Sequence, residues 1–315
     1  MVKRDDCTGA AGGGNKTRKL EYEIGAALRE GADTLITTGA IQSNHARQTA
    51  GLAAKLGLKC HLVLQHAVPD PSREYMHSGN VLLDKMFGAI IHEIPLPKPD
   101  PIGSNEAKDS ISAMSDAQKM LKLPDEIRAA GGRPYVIRIG ASSALGALGY
   151  AECASELATQ ADASGGPLDW VVHATGSCGT QAGLVAGFKA MGIATKVLGV
   201  GVSGDNQDVR KAMVKSLAQE TLQLLGSTAT VSDDDVIVNG DYVGEGYGLF
   251  GKDVRDAVFG VAQAEGILID PVYTGKALAG LIDMARTHKL DADARIAYLH
   301  TGGFPGLFAH SEELS

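Results

Sequence analysis

Lys16 follows three consecutive glycines, Gly12, Gly13 and Gly14, with only Asn15 between them. Glycines admit φ > 0 and let a backbone approach a ligand closely. A lysine held against such a backbone is partly desolvated, which lowers its pKa and frees the amine to react. That chemistry forms a Schiff base with an aldehyde cofactor. The plainer alternative is an exposed cation at a helix start. The stretch from Gly9 to Thr17 also comes within one residue of a phosphate-binding P-loop, but Asn15 separates Gly14 from Lys16. In a P-loop the lysine directly follows the last glycine, so a nucleotide site is rejected.

Thr175, Gly176, Ser177, Cys178, Gly179 and Thr180 lie between an apolar run and a helical pattern. Hydroxyls, glycines and free N–H groups at a helix N-terminus cradle an anion, and a phosphate is the natural guest. A tight strand-to-helix turn is the alternative, and the dinucleotide fingerprint G-x-G-x-x-G is missing. Gln42, Ser43, Asn44 and His45 end one apolar run and begin a helix. Ser43 or Asn44 serves as an ordinary N-cap there, and the same polar groups suit a carboxylate. Tyr247 sits between Gly246 and Gly248, and Tyr273 lies in Asp270-Pro271-Val272-Tyr273-Thr274-Gly275-Lys276. Both tyrosines read equally as packing residues. Thr301, between His300 and Gly302, either gives one hydrogen bond to a ligand ring or caps the next helix.

These segments need elements to hold them. Helical spacing over 20–28 ends at Gly31, strands read at 35–38, 60–65, 90–94 and 135–139, and helices at 44–56 and 74–87. A proline-rich loop over 95–103 precedes a helix at 107–130. In the second half, strands at 170–174, 196–202 and 295–300 accompany helices at 181–191, 209–225, 254–265 and 275–288, with a Gly/Ser/Asp-rich linker at 161–167. The alternation predicts an α/β fold of mainly parallel sheets flanked by helices. Ligands of such folds bind beyond the carboxyl ends of the strands. That rule selects the loops at 39–45, 175–180 and 301–306.

The chain of 315 residues is 44% hydrophobic and 21% charged, as expected of a globular protein. A net charge of −8 without a basic cluster argues against a nucleic-acid partner. No apolar run reaches membrane-spanning length and no signal peptide is visible. Cys7, Cys60, Cys153 and Cys178 are scattered. Free thiols suit a reducing cytoplasm, and their spacing offers no zinc site, so no metal is expected.

Seven motifs occur together and in order: Lys3-Arg4-Asp5-Asp6, residues 13–21, Gln42-Ser43-Asn44-His45, residues 175–180, Gly246-Tyr247-Gly248, residues 270–276 and His300-Thr301-Gly302-Gly303. Over nearly its whole length the chain resembles the pyridoxal-phosphate enzymes that include D-cysteine desulfhydrase, L-cysteate sulfo-lyase and 1-aminocyclopropane-1-carboxylate deaminase. The resemblance implies the two-lobed fold of the tryptophan synthase β subunit. Residues 1–19 and 141–315 would form a large lobe and 20–140 a small one, with pyridoxal 5′-phosphate between them. It also implies a homodimer and an amino-acid substrate. Within it Lys16 looks like the Schiff-base lysine and Asn15 the partner of the cofactor's phenolic oxygen. Thr175, Gly176, Ser177, Cys178, Gly179 and Thr180 would hold the 5′-phosphate, and Thr301 would face the pyridine nitrogen. Gln42, Ser43, Asn44 and His45 would receive the substrate carboxylate. Tyr247 and Tyr273 would stand near the reacting carbons and the leaving group.

The ring-opening deaminases of this family carry Glu after the second loop tyrosine and Leu after the last strand, where this chain has Thr274 and Thr301. Both differences argue for β-elimination of a sulfur group, giving pyruvate, ammonia and sulfite or sulfide. The strings at 172–177, 181–187 and 241–248 look closest to the cysteate sulfo-lyases, and that at 144–150 to D-cysteine desulfhydrase. L-cysteate is therefore the lead substrate, with Arg138 a candidate for its sulfonate or simply a salt-bridge residue. A catalytically silent metabolite-binding protein on the same fold is the alternative from another class. The family usually begins a few dozen residues ahead of the position of Met1.

Overall fold

The computed structural model describes residues 1–94, 122–204 and 206–315. Two parallel sheets organise them. One comprises β2 (Thr34–Ala40), β3 (Lys59–Gln65), β4 (Ile90–Ile94) and β5 (Pro134–Val136), in the order β4-β3-β2-β5. The other comprises β1 (Val2–Arg4), β6 (Trp170–Thr175), β7 (Lys196–Gly201), β8 (Ile237–Asn239) and β9 (Ile296–His300), in the order β1-β9-β6-β7-β8. Every pairing is parallel, so each crossover returns over a face of its sheet. Helix coverage of both faces explains why all seven residues of β2 are buried. Its three threonines keep their hydroxyls satisfied: Thr34 donates to Asp33 Oδ1 at 2.7 Å, and Thr37 and Thr38 to the Ile137 and Val63 carbonyls, each at 2.9 Å.

The helices that matter for the cleft are α1 (Lys16–Arg29), α2 (Asn44–Leu56), α3 (Arg73–His77), α4 (Gly79–Met86), α5 (Leu123–Ala129) and α6 (Ala144–Ala163). The sequence reading leaves 144–160 without an element. That segment is Ala/Gly-rich and shows no apolar stripe, because its helix is buried on several sides. Small residues bring it into backbone contact with its neighbours. A Cβ on Gly149 would lie 2.2 Å from the Arg18 carbonyl on α1, and one on Gly183 would lie 2.2 Å from the Ala147 carbonyl. Gly183 belongs to α7 (Gly179–Ala190), so α6 is clamped between the lysine helix and the helix after the 175–180 loop. Arg18 adds ion pairs at 2.8 Å to Asp5 and to Glu156 of α6.

Three further expectations are corrected. The helix expected over 74–87 is two helices, broken at Ser78 and Gly79, where Gly79 takes φ +58. The strand expected over 135–139 stops at Val136 and becomes a turn in which Gly140 and Ala141 take φ +67 and +50. The 161–167 linker begins inside α6, which runs to Ala163. The proline-rich loop at 95–103, and 107–121 of the expected 107–130 helix, lie outside the described residues; the rest of that helix is α5.

Two large cores follow from this arrangement. One gathers Leu20 and Ile24 of α1 with Leu35, Leu62 and Leu64 of the four-stranded sheet. The other gathers Leu157, Leu184 and Phe188 with Val171 and Val197 beneath the five-stranded sheet.

Candidate active site

The carboxyl ends of β2, β6 and β9 open on one cavity of about 690 Å3. Lys16 enters it as the first residue of α1. The loop before it is fixed at both flanks. The N–H of Gly14 donates to the Asp5 carbonyl (3.0 Å) and that of Asn15 to the Thr301 carbonyl (2.9 Å). From the other side α2 grips the same loop: Arg47 Nη2 donates to the Gly13 carbonyl at 2.8 Å, and Gln48 Oε1 accepts from the N–H and hydroxyl of Thr17 at 2.9 and 3.0 Å. The glycines are required by this contact, since a Cβ on Gly13 would lie 1.8 Å from the Asp6 carbonyl.

Lys16 Nζ lies 3.4 Å from Ser177 Oγ. Burial lowers its pKa to about 8, outweighing a contact with Lys19 and a pull from Cys178 that act the other way. Lys19, one turn later on α1, is fully buried and held well below its ordinary value, by burial first and then by Lys16. Its Nζ donates to Ser142 Oγ at 3.4 Å, and that hydroxyl donates to Ser177 Oγ at 2.9 Å. Among the described residues neither lysine has a carboxylate within ion-pair distance. Two buried amines, two serine hydroxyls and the N-terminus of α7 thus converge without a negative charge, which is the donor set of an anion site.

Thr175 to Cys178 and Thr180 line the cavity. Gly179 does not; its N–H donates to Ser142 Oγ at 3.2 Å. Cys178 takes φ +69, a conformation side chains rarely adopt, and so turns the loop into α7. A Cβ on Gly140 would lie 2.1 Å from Ser177 Oγ, so only glycine admits the serine there. Thr175 Oγ1 is buried and has no hydrogen-bond partner among the described residues. Asn15 Nδ2 donates to Thr180 Oγ1 at 3.0 Å, which sets its amide at the cavity wall. Thr301 lines the wall beyond β9. An amine for an aldehyde, donors for a phosphate and a hydroxyl at a strand end all fit pyridoxal phosphate.

The four residues at the end of β2 divide. Ser43 caps α2, its Oγ accepting from the Ala46 N–H at 3.2 Å, and it also lines the cavity beside Asn44. Gln42 does not line it. Its amide donates to the Tyr75 and Ser78 carbonyls at 2.6 and 3.0 Å and accepts from the Asn80 N–H at 2.9 Å, so it braces the α3–α4 junction. His45 reaches the cavity wall, but its Nε2 lies 2.7 Å from Thr37 Oγ1. That hydroxyl gives its one hydrogen to the Ile137 carbonyl, so it accepts from His45 Nε2–H. Burial, with Lys16 and Lys19 nearby, holds the imidazole neutral, which makes it a poor partner for a carboxylate.

Asn80 is a positioning residue that the sequence reading missed. Its Nδ2 donates to Asn44 Oδ1 at 3.1 Å. That bond fixes the amide of Asn44, which lines the cavity. Asn80→Ala frees that amide to rotate, and the expected result is a KM about ten- to a hundred-fold higher with the cofactor absorbance unchanged, one lost hydrogen bond to a charged group being about 1.5–3 kcal/mol. Steady-state kinetics beside an absorbance spectrum checks it.

Tyr247 and Tyr273 meet across the cavity, hydroxyl to hydroxyl at 2.7 Å, with ring centroids 5.9 Å apart and edge-on. Tyr273 is placed by the Asp270 carboxylate, which accepts from the N–H groups of Val272, Tyr273 and Thr274 at 3.0, 2.8 and 3.0 Å. Thr274 turns away from the cavity and donates to Asp270 Oδ1 at 2.6 Å. Burial raises both phenols above their ordinary range, so they stay protonated.

With this geometry in hand, comparisons with known proteins place the chain. Residues 1–302 match the family model for pyridoxal-phosphate dependent enzymes. The D-cysteine desulfhydrases of Salmonella newport (strain SL254) and Salmonella typhimurium (strain LT2) are each 44% identical over 310 residues, 98% of this chain and 88% of theirs. Among solved structures, an ACC deaminase homologue is 38% identical with a TM-score of 0.84, covering 99% of this chain and 87% of its own. A threonine deaminase from T.th., at 18% identity and TM-score 0.61 over 96% of this chain and 86% of its own, shares the fold alone. The two parallel sheets with flanking helices are the tryptophan synthase β-like fold implied by the sequence. The chain belongs to the pyridoxal-phosphate dependent enzyme family, and pyridoxal phosphate is its cofactor.

Proposed function

We propose that the protein is a carbon–sulfur lyase that removes the sulfur group from the β-carbon of a cysteine-like amino acid. The observation that carries this reading is the convergence, on one cavity, of a buried amine and a pair of protonated phenols. When bound, pyridoxal phosphate supplies the electron sink for bonds at the substrate's α-carbon. Lys16 takes the α-proton as general base. Asn44 and Ser43, at the positive end of α2, hold the substrate carboxylate. The tyrosine pair gives a proton to the departing sulfur. The C–S bond breaks as the α-proton leaves, and hydrolysis of the unsaturated amine yields pyruvate and ammonia. Ser177, Thr175 and Thr180 hold the phosphate, and Lys19 backs them through Ser142. Thr301 offers the ring nitrogen a hydroxyl and not a carboxylate, which favours prompt loss of a β-substituent.

D-cysteine is the substrate that the names of the 44% identical relatives favour. L-cysteate, the lead from sequence, keeps one supporting observation. Arg138 lines the cavity, and among the described residues it has no ion-pair partner, so a sulfonate would find a free cation there. Sulfide and sulfite release measured side by side from D-cysteine and L-cysteate separates the two. Release of neither, with 1-aminocyclopropane-1-carboxylate opened to an oxo acid instead, would overturn the sulfur reading. We also propose a homodimer, to be checked by light scattering. Among the described residues no helix is long and apolar enough to cross a membrane.

A further inference from the structure

Lys276 is fully buried in the first turn of α8 (Thr274–Arg286). Its ammonium donates to three backbone carbonyls: Val243 at 2.7 Å, Gly246 at 2.7 Å and Val202 at 3.3 Å. Among the described residues no carboxylate forms an ion pair with it; Asp270 and Asp253 act on it from farther away. A buried ammonium without a counter-ion is costly, and its three N–H bonds need acceptors. Here all three acceptors are main-chain oxygens, contributed by two separate segments.

What those segments carry gives the arrangement its meaning. Val202 follows β7 and lines the cavity. Gly246 directly precedes Tyr247, and Val243 opens the same loop. Gly244 and Gly246, at φ +67 and +140, let that loop fold its carbonyls inward. The residue that caps α8 is Tyr273, whose hydroxyl meets that of Tyr247. One helical turn therefore sets both phenols: Tyr273 through the backbone, Tyr247 through the ammonium of Lys276.

We infer that the Lys276 ammonium is a built-in monovalent cation, whose carbonyl cage holds the Tyr247 loop where its hydroxyl meets that of Tyr273. Lys276 is then a positioning residue for the proposed elimination, and that much rests on the lyase reading; the cage itself rests on geometry. Main-chain carbonyls also replace the hydration shell of potassium. An empty cage made by truncating the side chain should accordingly accept ammonium or potassium from solution.

The test uses Lys276→Ala and Lys276→Met in the cofactor-loaded protein. Lys276→Ala is expected to lower turnover about 10–100-fold through misplacement of Tyr247, with the cofactor absorbance retained and the melting temperature reduced. Ammonium or potassium chloride should restore both turnover and melting temperature along a saturating curve. Choline chloride at equal ionic strength should restore neither, and the wild type should respond to none. Lys276→Met fills the cage with an apolar chain and should not be rescued. If Lys276→Ala does not fold, Lys276→Ser, whose short side chain also leaves the cage empty, carries the same cation titration. Wild-type turnover in Lys276→Ala, or a melting temperature that rises no more with ammonium or potassium than with choline, overturns the inference. A wild type that releases no sulfur defeats the lyase reading alone, and the melting-temperature titration still decides the cage.

Discussion

Lys16→Ala is expected to lower sulfur release by about a hundred- to ten-thousand-fold, the range associated with loss of a positioned general base. Lys19 will not substitute for it, although the two sit one turn apart. The Lys19 amine is fully buried and donates to Ser142 Oγ, on the side where the anion loop lies. The variant should also fail to give the visible absorbance that a bound aldehyde acquires from an amine. Inactivity through unfolding is not expected. A lysine held near 8 against its usual 10.5 weakens the fold at low pH, where burial penalises the charged form. That penalty is fully present below about 8 and fades as pH rises toward 10.5, so removing the amine should leave the cofactor-free protein melting no lower than wild type near neutrality. The same value sets a second readout. Only the neutral amine attacks an aldehyde, so capture of pyridoxal phosphate by the cofactor-free wild type should accelerate as pH rises through about 8 and level off above it. Capture independent of pH, or normal turnover in Lys16→Ala, would sink the assignment.

How much of this was legible beforehand depends on whether a residue's direction is set locally. Gly12 to Lys16 was readable because a run of glycines before a lysine marks a backbone that takes φ > 0 and comes close to a ligand, whatever surrounds it. Lys19 was not, since Lys16-Thr17-Arg18-Lys19 looks like a solvated charged face. Its burial is decided by α6, which approaches α1 closely only because Gly149 lacks a side chain. The parallel sheets followed from alternation, but helix Ala144–Ala163 has no stripe to betray it, being covered on several sides by neighbours far apart in sequence. Gln42 to His45 illustrates the same limit within four residues. Their polarity marked a ligand-facing strand end, and Ser43 and Asn44 do line the cavity. Gln42 is instead drawn to the helix break at Ser78, and His45 to Thr37, partners that no local pattern announces. Lys276 and Asp270 sat inside a recognised motif, yet their work on the Tyr247 and Tyr273 loops appears only once those loops are folded.

Tyr247→Phe and Tyr273→Phe are each expected to lower turnover on D-cysteine about a hundred-fold, and the double variant to fall no further than about ten-fold below either. The reason is the single contact between them. Two phenols 2.7 Å apart share one hydrogen between their oxygens, and the hydrogen of the accepting hydroxyl is left to point at the ligand. Deleting either hydroxyl breaks the donor chain, so deleting the second removes little more. Burial keeps both phenols protonated through the working range, so in the proposed reaction the pair can offer an O–H to the leaving sulfur but is no base for the α-proton. The leaving group therefore gives the sharper measurement. Thiolate leaves more easily with a proton in place, whereas chloride needs none. On β-chloro-D-alanine the loss in each variant should shrink to about ten-fold or less, while Lys16→Ala should remain equally crippled on both substrates. Equal losses on the two substrates for the tyrosine variants, or additive losses in the double variant, would remove the pair from sulfur departure and leave it a wall of the cavity.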